Sequence, residues 1–491
     1  MKKISALFLA AFMLTLCACA PANNGNSGNT AATPTDTTAA ANVFMAGFGE
    51  ANITPDFAVG MTGYGNQSTR ISTGKRNDLY VYVLAVRDPE GSTALIIGSD
   101  LMNHSTSQSS QIARWAEANV NVPAENVIFS SAHQHSTPGL GEAKYGNFAY
   151  PLIYQAIEAA IADLSPAEMY INRVETKALN FVRHYITSDG DIVTPNHNGD
   201  KKGSIIRHES DADNEMQLLK FKRGGDKKDI LVVNFQAHPY KATSSTATQL
   251  SSDWIGILRT QVAEELDCNV LYFSGAGGNL ADKSDLAEEN KYKDFKSHGE
   301  RAAKYVIDAE DSYTQVQTGA VKIKKVTFAY DTNHSMDHLA AEALPIYEEL
   351  MYGDFNKASE MAREHPDFFS VYHARSVWTN SNLEPTRDMA LSAVSIGDVA
   401  FTAHPYEMFD TNGMELKNGT VGNENYAAED QLANPYKMTI ITTIANGYYN
   451  YIPSAMGYAN GGYATDTASF APGTGEQVVG DMLQILNVLH D

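Results

Sequence analysis

The strongest constraint on the fold is a set of short apolar runs that recur along the chain and end in polar residues or glycines. The runs are rich in β-branched and aromatic residues and lack polar alternation, which is typical of strands buried on both faces. Six of them are TALIIGSDL, NVIFSSAHQH, DILVVNFQAHP, CNVLYFSGAGGNL, DVAFTAHPYE and KMTIITTIANGYYNY. Helical patterns separate several runs, as in SSQIARWAEAN, YPLIYQAIEAAIADL and WIGILRTQVAEEL. Strands that alternate with helices predict an α/β fold.

The polar residues at the ends of these runs favour one shared binding site. In α/β folds the ligand crevice lies outside the carboxyl ends of the strands. The runs end at Asp100, His133 and His135, His238, His404 and Glu407, and the three tyrosines Tyr448, Tyr449 and Tyr451. A glycine-rich turn, residues 274–280, follows another run. Its backbone N–H groups are expected to approach the site closely, although a tight strand–helix connection explains the glycines equally well.

The pair His133 and His135 in SSAHQHSTPG suits a metal ion, because side chains two residues apart on extended backbone point the same way. Zinc takes histidine nitrogens and carboxylate oxygens, and a catalytic site keeps room for water. The minimal ligand set is His133, His238 and Glu407, with His135 as a further ligand or as an acid/base group beside the metal. His404, which precedes a proline, is interpreted as a structural or supporting residue. These residues alone indicate a metal-dependent hydrolase of undefined substrate.

Charge and cysteine content exclude several classes of protein. The chain has 36 Lys and Arg against 58 Asp and Glu, a formal net charge of −22, which argues against a nucleic-acid partner. Two of the three cysteines, Cys17 and Cys19, lie close to the N-terminus, so Cys268 is alone in the folded part. We therefore expect no intrachain disulfide framework and no cysteine-based zinc site.

The N-terminus has the layout of an exported protein. MKKISALFLAAFMLTLCACA has two lysines, an apolar stretch and small residues, as in a secretory signal peptide. The LCAC ending resembles a bacterial lipoprotein signal, in which Cys19 becomes the lipidated first residue; ordinary cleavage after a small-x-small site is the alternative. We assign residues 1–19 to the signal peptide, 20–43 to a disordered tether and 44–491 to one folded domain. The expected location is outside the cytoplasm, with the membrane contacted through the lipid anchor.

The motifs taken together resemble the neutral/alkaline non-lysosomal ceramidase family. They are AGFGEANITP, MTGYGN, STGKRNDLYVYVLAV, AHQHSTPG, NFQAHP, SGAGGNL and GYYNYIPS, and a segment FVRHYITSDGD at residues 181–191 is similar to one in the short bacterial members. The resemblance implies the family's N-terminal catalytic domain, with mixed β-sheets flanked by helices and without the immunoglobulin-like C-terminal domain. It also implies a zinc hydrolase that cleaves the amide of ceramide, or of a related N-acyl lipid, into a fatty acid and an amine.

The resemblance also implies roles for individual residues. The family's zinc ligands correspond to His133, His238, Glu407 and Tyr451. The family places a second functional tyrosine twelve residues beyond the ligand, and Tyr463 lies twelve residues after Tyr451, which favours Tyr451 over its neighbours. Two further residues match the family's acid/base histidine and its substrate-contacting arginine, namely His135 and Arg183. An ordinary surface salt bridge is the alternative for Arg183.

The chain departs from the family at its proposed nucleophilic serine, where Ala281 stands; Ser274 and Ser284 are near but out of register. It also has Tyr406 where the family has a glycine, which predicts a large ring beside the metal. The loss of the serine favours hydrolysis by metal-activated water, with His135 passing a proton to the leaving amine and Tyr463 stabilising the oxyanion. The alternatives are a zinc hydrolase of another amide or ester, such as an N-acyl amino acid, and an inactive anchored binding protein.

Overall fold

The structure, a computed structural model, describes residues 43–64, 70–194 and 204–491. The predicted signal peptide, Cys19 and all but the last residue of the predicted tether lie outside these residues. The predictions made for those segments, and the predicted domain limits, therefore stay predictions. Within the described ranges, the helices are all too short or too polar to cross a membrane.

The larger sheet of the described residues has nine strands and is mixed, with antiparallel pairs in its middle and a parallel pair at each end. The strand order is β14-β12-β11-β6-β1-β3-β4-β5, and β16 pairs with β6. Numbered in chain order, these strands are β1 Met45–Asn52, β3 Tyr80–Arg87, β4 Thr93–Ser99, β5 Val127–Ser131, β6 Ser165–Glu175, β11 Glu215–Arg223, β12 Ile230–Phe235, β14 Asn269–Ser274 and β16 Thr314–Val316.

A second, four-stranded sheet has the order β17-β18-β19-β21, with a parallel pair between β19 and β21. Its strands are β17 Val321–Asp331, β18 Thr386–Ile396, β19 Val399–His404 and β21 Met438–Thr443. Short strands pair in small sheets around the two large ones; they are β2 Gly74–Lys75, β7 Phe181–Val182, β8 Tyr185–Thr187, β9 Ile192–Val193, β10 Ile205–His208, β13 Gln249–Leu250, β15 Leu280–Ala281, β20 Glu407–Met408 and β22 Tyr451–Ile452.

Helices cover the outer faces of both sheets. The helices are α1 Thr106–Val120, α2 Ala143–Ala162, α3 Asp253–Leu266, α4 Phe295–Asp308, α5 Ala340–Tyr352, α6 Phe355–Glu364, α7 Val371–Ser381, α8 Asp410–Asn418, α9 Ala455–Asn460, α10 Tyr463–Asp466 and α11 Thr474–His490. Alternate residues of one strand enter different cores: Leu84 of β3 packs between the two sheets, whereas Val83 packs under α1 and α2. This double burial explains the unbroken apolar runs, and the predicted α/β fold is confirmed.

The nine-stranded sheet curls until its edge strands β5 and β14 approach each other. The Ser274 hydroxyl at the end of β14 donates to the Ala132 carbonyl just after β5, at 3.0 Å. The second sheet contacts β5 in the same region. The Asn446 side chain, which follows β21 of that sheet, accepts from the Phe129 N–H of β5 at 3.0 Å. The carboxyl ends of β5, β12, β14, β19 and β21 are thereby gathered at one place.

Three helices form an appendage that the sequence did not indicate. Helices α5, α6 and α7, here called the helical cap, pack on one another through a small core of their own. That core is separate from those of the sheets and includes Ala343, Ile346, Ala358, Val371 and Ala374. Residues of α6 and α7 line the cavity described below, so the cap forms one wall of the site.

Candidate metal centre

Strand ends from both sheets deliver His133, His238 and Glu407 to one buried cluster. His133 follows β5, His238 follows β12, and Glu407 begins β20 just after β19. The imidazole centroids of the two histidines are 4.9 Å apart. The Nε2 atoms of His133 and His238 lie 3.3 Å and 3.0 Å from the same carboxylate oxygen, Oε2 of Glu407. All three side chains are buried.

The hydrogen bonds of the two imidazoles leave their Nε2 atoms, which face Glu407, as acceptors. Nδ1 of His133 faces the Met102 carbonyl at 3.0 Å, and Nδ1 of His238 faces the carbonyls of Gly277 and Leu280 at 2.9 Å and 2.8 Å. A carbonyl only accepts, so each Nδ1 carries the proton and each Nε2 presents a lone pair. Within the described residues, Nε2 of His238 and the Glu407 oxygen have no hydrogen-bond partner. Acceptors that converge without a proton between them fit a divalent cation.

His135 stands beside this cluster. Its ring centroid is 4.8 Å from that of His133 and 5.8 Å from that of His238, and Tyr64 and Tyr240 pack against it. Neither ring nitrogen has a hydrogen-bond partner among the described residues. Ligand atoms of the three histidines all lie within 4.8 Å of one another. The geometry is therefore compatible with His135 as a further ligand and with His135 as an acid/base group.

The backbone conformation at the His-x-His pair differs from the predicted extended one. The prediction of extended backbone is wrong, because His133 has a φ of 68°, in the left-handed region that is strained for a non-glycine residue. Gly63, with a φ of 109°, passes so close that a Cβ there would lie 2.6 Å from the His135 carbonyl oxygen. The chain thus turns sharply at the site, and the glycine makes room for it.

The electrostatics of the cluster favour an anionic Glu407 carboxylate beside neutral His135 and His238. Burial, and then the positive charge of Arg183, lower the pKa of His238 to about 4. Burial, and then His133, hold the pKa of His135 well below its usual value. Burial alone would raise the pKa of Glu407, but the neighbouring His133 and His238 outweigh it and hold that pKa well below its usual range. Neutral imidazoles with one carboxylate form a donor set that zinc accepts.

Two tyrosines from the segment after β21 reach the cluster in different ways. The Tyr448 hydroxyl donates to Oε1 of Glu407 at 2.6 Å, a contact that the sequence did not predict. Tyr451 pairs with Glu407 through β20 and β22, and its ring centroid is 6.1 Å from that of Tyr463. Burial, with Glu407 nearby, raises the pKa of both Tyr448 and Tyr451 well above the usual value. The structure brings the predicted Tyr451 and Tyr463 together, and the role of Tyr451 as a ligand stays a prediction.

Arg183 lies next to these tyrosines. Its Nη2 donates to the Gly278 carbonyl at 2.6 Å, and its Cζ lies 5.4 Å from the Tyr451 ring centroid. Burial acts to lower the pKa of Arg183, but interactions with Tyr451 and Tyr240 outweigh it and raise that pKa. In the described part of the chain Arg183 has no salt bridge, so a surface ion pair does not account for it. Contact with a substrate stays a prediction for this residue.

The glycine-rich turn orients His238 through its carbonyls. The carbonyls of Gly277 and Leu280 accept from Nδ1 of His238. Carbonyl groups, and not the expected N–H groups, therefore position this histidine. Gly278 passes against the Glu407 strand: its N–H donates to the Met408 carbonyl at 2.7 Å, and a Cβ would lie 2.8 Å from the Glu407 carbonyl. The turn leads into β15, not directly into a helix.

The structure also shows the positions at which the sequence differs from the family pattern. Ala281 in β15 lines the cavity and forms a backbone β-bridge with His238. The Ser274 hydroxyl donates to the Ala132 carbonyl at 3.0 Å. The Ser284 hydroxyl lies 3.0 Å from Nε2 of His208. The prediction of a large ring beside the metal is wrong. The Tyr406 ring is buried in the core under α11, with its hydroxyl 2.9 Å from Nδ1 of His404. His404 lies outside the metal cluster, with its other nitrogen 3.0 Å from the Thr402 hydroxyl.

A cavity of about 750 Å³ lies over the cluster. His133, His135 and Glu407 of the cluster line it, and its walls are rich in tyrosine. The lining includes His133, His135, Glu407, Arg183, Tyr64, Tyr240, Tyr448, Tyr451, Tyr463 and, from the helical cap, Phe355, Phe369, Tyr372 and Arg375. Burial, and then Tyr372, raise the pKa of Tyr463 to about 12, so its hydroxyl keeps its proton at neutral pH. The cavity combines a candidate metal centre with proton donors and an aromatic wall.

An α/β fold that gathers histidines and a carboxylate beneath such a cavity is the architecture of a hydrolase with a candidate metal centre. Residues 44–273 match the family model described as neutral/alkaline non-lysosomal ceramidase, N-terminal. The match covers 230 of the 491 residues and confirms, over that part of the chain, the resemblance seen in the sequence. The family match supports hydrolysis of an amide of the ceramide type.

Two solved structures are similar to this chain over nearly its whole length. A ceramidase complexed with C2 is 16% identical, with a TM-score of 0.67, and the match covers 91% of this chain and 75% of that one. The neutral ceramidase from Pseudomonas aeruginosa is also 16% identical, with a TM-score of 0.65 and the same coverage of 91% and 75%. At this identity the likeness establishes the fold. A comparison with curated protein sequences gives no significant match.

Proposed function

We propose that this protein is a zinc-dependent hydrolase that cleaves the N-acyl amide bond of ceramide or of a related N-acyl lipid. One observation carries the proposal. The buried side chains of His133, His238 and Glu407 converge, and His133 and Glu407 line a cavity of about 750 Å³ that is large enough for a lipid amide. The match to the ceramidase family model supports the same type of bond as the target.

His133, His238 and Glu407 would hold the zinc, with Tyr451 as the proposed fourth ligand. When bound, zinc lowers the pKa of a coordinated water from about 15.7 towards about 7 and polarises a carbonyl. The hydrogen bonds to the Met102, Gly277 and Leu280 carbonyls fix the ring orientation and tautomer of the two histidines. Tyr448 holds the second oxygen of Glu407, so the carboxylate cannot rotate freely.

The remaining residues of the site supply proton transfer and charge stabilisation. His135 is neutral at pH 7, because its pKa is depressed, and a neutral imidazole can accept a proton and return it to the leaving amine. Tyr463 keeps its hydroxyl proton and can donate it in a hydrogen bond to a developing oxyanion. Ala281 offers no nucleophile, and this path needs no covalent acyl-enzyme.

The test is a metal analysis followed by an amide panel. Purified full-length protein is expected to contain about one zinc per chain, as a single catalytic site requires. Zinc-loaded protein should release fatty acid from N-acylsphingosine or another N-acyl lipid, and the same preparation stripped by a chelator should not. Absence of zinc, or no turnover of any amide or ester by zinc-loaded protein, would favour the anchored binding protein instead.

We also propose that the protein is anchored outside the cytoplasm by lipid on Cys19. Cys19→Ala should release the protein from the membrane fraction, because a protein without acyl chains loses the anchor that multiple chains provide. Cys17→Ala, two residues earlier in the same signal, is the matched control and should stay in the membrane fraction. Fractionation followed by immunodetection measures both. Retention of the Cys19 variant at the level of the natural protein would contradict the lipid anchor.

A further inference from the structure

The charge of the cavity is opposite to that of the whole protein. Acidic residues outnumber basic ones in the chain by 58 to 36. Among the described residues that line the cavity, however, the basic ones outnumber the acidic ones, and one of the acids is Glu407 of the metal cluster. The charged lining residues are Arg183, Lys283, Arg363 and Arg375 against Asp285 and Glu407. The described lining therefore carries more positive than negative charge, and zinc would add to it.

The basic residues away from the metal make no ion pair within the described part of the chain. In residues 43–64, 70–194 and 204–491, no carboxylate lies within ion-pair distance of Lys283, Arg363 or Arg375, although the chain offers a large excess of carboxylates. Arg375 is only partly exposed, and its Cζ lies 5.8 Å from the Tyr372 ring centroid. Nζ of Lys283 lies 5.2 Å from the Tyr240 ring centroid. Lys283 and Arg363 are exposed, whereas Arg375 is partly buried. A partly buried guanidinium that packs on an aromatic ring without a carboxylate partner is suited to bind an anion.

A row of tyrosines connects Arg375 to the metal centre. Ring centroids lie 6.2 Å apart between Tyr372 and Tyr463, and 6.1 Å apart between Tyr463 and Tyr451. Arg375 lies at the helical-cap end of this row and Arg183 at the metal end. A ligand with its amide at the metal can therefore extend along the row towards Arg375.

We propose that the preferred substrate is an N-acyl amide whose amine portion carries an acidic oxygen group, a carboxylate or a sulfonate, and that Arg375 binds that group. This inference rests on the proposed amide hydrolysis. The acyl chain of such a lipid is apolar, so the acidic group belongs to the amine that is released. A ceramide headgroup has only neutral hydroxyls and leaves the cations of the cavity unpaired. The planar guanidinium of Arg375 can bind a carboxylate or a sulfonate through two N–H donors.

The experiment compares amides that share one acyl chain. Zinc-loaded full-length protein is assayed with N-octanoylglycine, N-octanoyltaurine and N-octanoylethanolamine, which separate carboxylate, sulfonate and neutral headgroups. We expect kcat/KM to be about tenfold or more higher for at least one acidic amide than for the neutral one, since hydrogen bonds to charged groups are among the stronger ones. The preference should shrink when salt is raised from 0.01 M to 0.5 M, because screening weakens it.

Variants assign the preference to Arg375. Arg375→Gln should reduce the ratio of kcat/KM for the acidic amide to that for the neutral amide by about tenfold, mostly through KM. Arg375→Lys should restore part of the ratio, because it keeps the charge and loses the bidentate geometry. Arg387→Gln is the matched control: Arg387 also lies over a tyrosine, with its Cζ 4.4 Å from the Tyr449 centroid, but it is exposed and outside the cavity. The control should leave the ratio unchanged.

A binding measurement separates failure of this inference from failure of the proposed function. Isothermal titration of the three amides into the zinc-loaded protein and Arg375→Gln measures their affinities if the amides are not cleaved. If no amide is cleaved but the acidic amides bind more tightly in a way that needs Arg375, amide hydrolysis is wrong and the anion site stands. If amides are cleaved with equal or better rates for the neutral headgroup, or Arg375→Gln leaves the ratio unchanged, the anion site is wrong and hydrolysis stands.

Discussion

Replacing His238 by alanine should remove the bound zinc and lower kcat/KM for an amide substrate by more than about 100-fold. Even partners outside the ligand shell of a metal cost about 10–100-fold when they are removed, so a ligand held by two carbonyls should cost more. His133 and Glu407 come from other strands and cannot move to replace it. Metal content measured by mass spectrometry, together with the rate on the best amide of the panel, tests the expectation.

His404→Gln is the matched control for this change. His238 and His404 both sit between an alanine and a proline at the end of a buried strand, but His404 pairs with Tyr406 and Thr402 outside the cluster. The His404 variant should keep its zinc, whereas the His238 variant should also lose the rise in melting temperature on adding zinc, because a ligand stabilises only the state that binds it. Full zinc occupancy in His238→Ala would refute the proposed metal site.

Replacing His135 by alanine should lower kcat by about 10²–10⁴-fold, the usual cost of removing a positioned acid/base group. The zinc content decides between the two interpretations that the geometry leaves open. If His135 only transfers a proton, zinc stays at about one per chain while the rate falls. If His135 is a ligand, zinc is lost together with the activity. An unchanged rate would remove His135 from both roles.

The serine variants provide the controls for the same mechanism. Ser274→Ala and Ser284→Ala should change kcat little, because each hydroxyl is already engaged, with the Ala132 carbonyl and with His208 respectively. Mass spectrometry after an acid quench during turnover should find no acyl group on the chain. An acyl group on either serine, or a serine variant as slow as His135→Ala, would overturn hydrolysis by metal-activated water.

Much of the sheet architecture could be read from the sequence, because burial on both faces leaves an unbroken apolar run. The predicted run TALIIGSDL illustrates this, since Ile96 and its neighbour Ile97 face different cores and neither position admits a polar residue. The ends of such runs then point to the site, which is why the sequence singled out His133, His238 and Glu407. The structure brings these three together, as the strand-end argument expects.

What the sequence did not predict depends on contacts between distant segments or on the local backbone. The left-handed turn at His133 is imposed by its surroundings and is contrary to the residue's own preference. The hydrogen bond from Tyr448 to Glu407 could not be inferred, because three nearby tyrosines look alike in sequence. The helical cap has a core of its own, so its amphipathic patterns predict helices but not their position over the cavity.

The curled sheet also determines when the site can form during folding. The bond from Ser274 to the Ala132 carbonyl joins residues 142 positions apart, and it closes next to His133. Such closure comes after the intervening strands and helices have formed, because long loops are costly to close before their contacts exist. We therefore expect zinc to enter a nearly finished protein and not to nucleate it. Bound zinc would then slow the separation of β5 from β14. We therefore expect the protein to lose its metal and to unfold at the same rate.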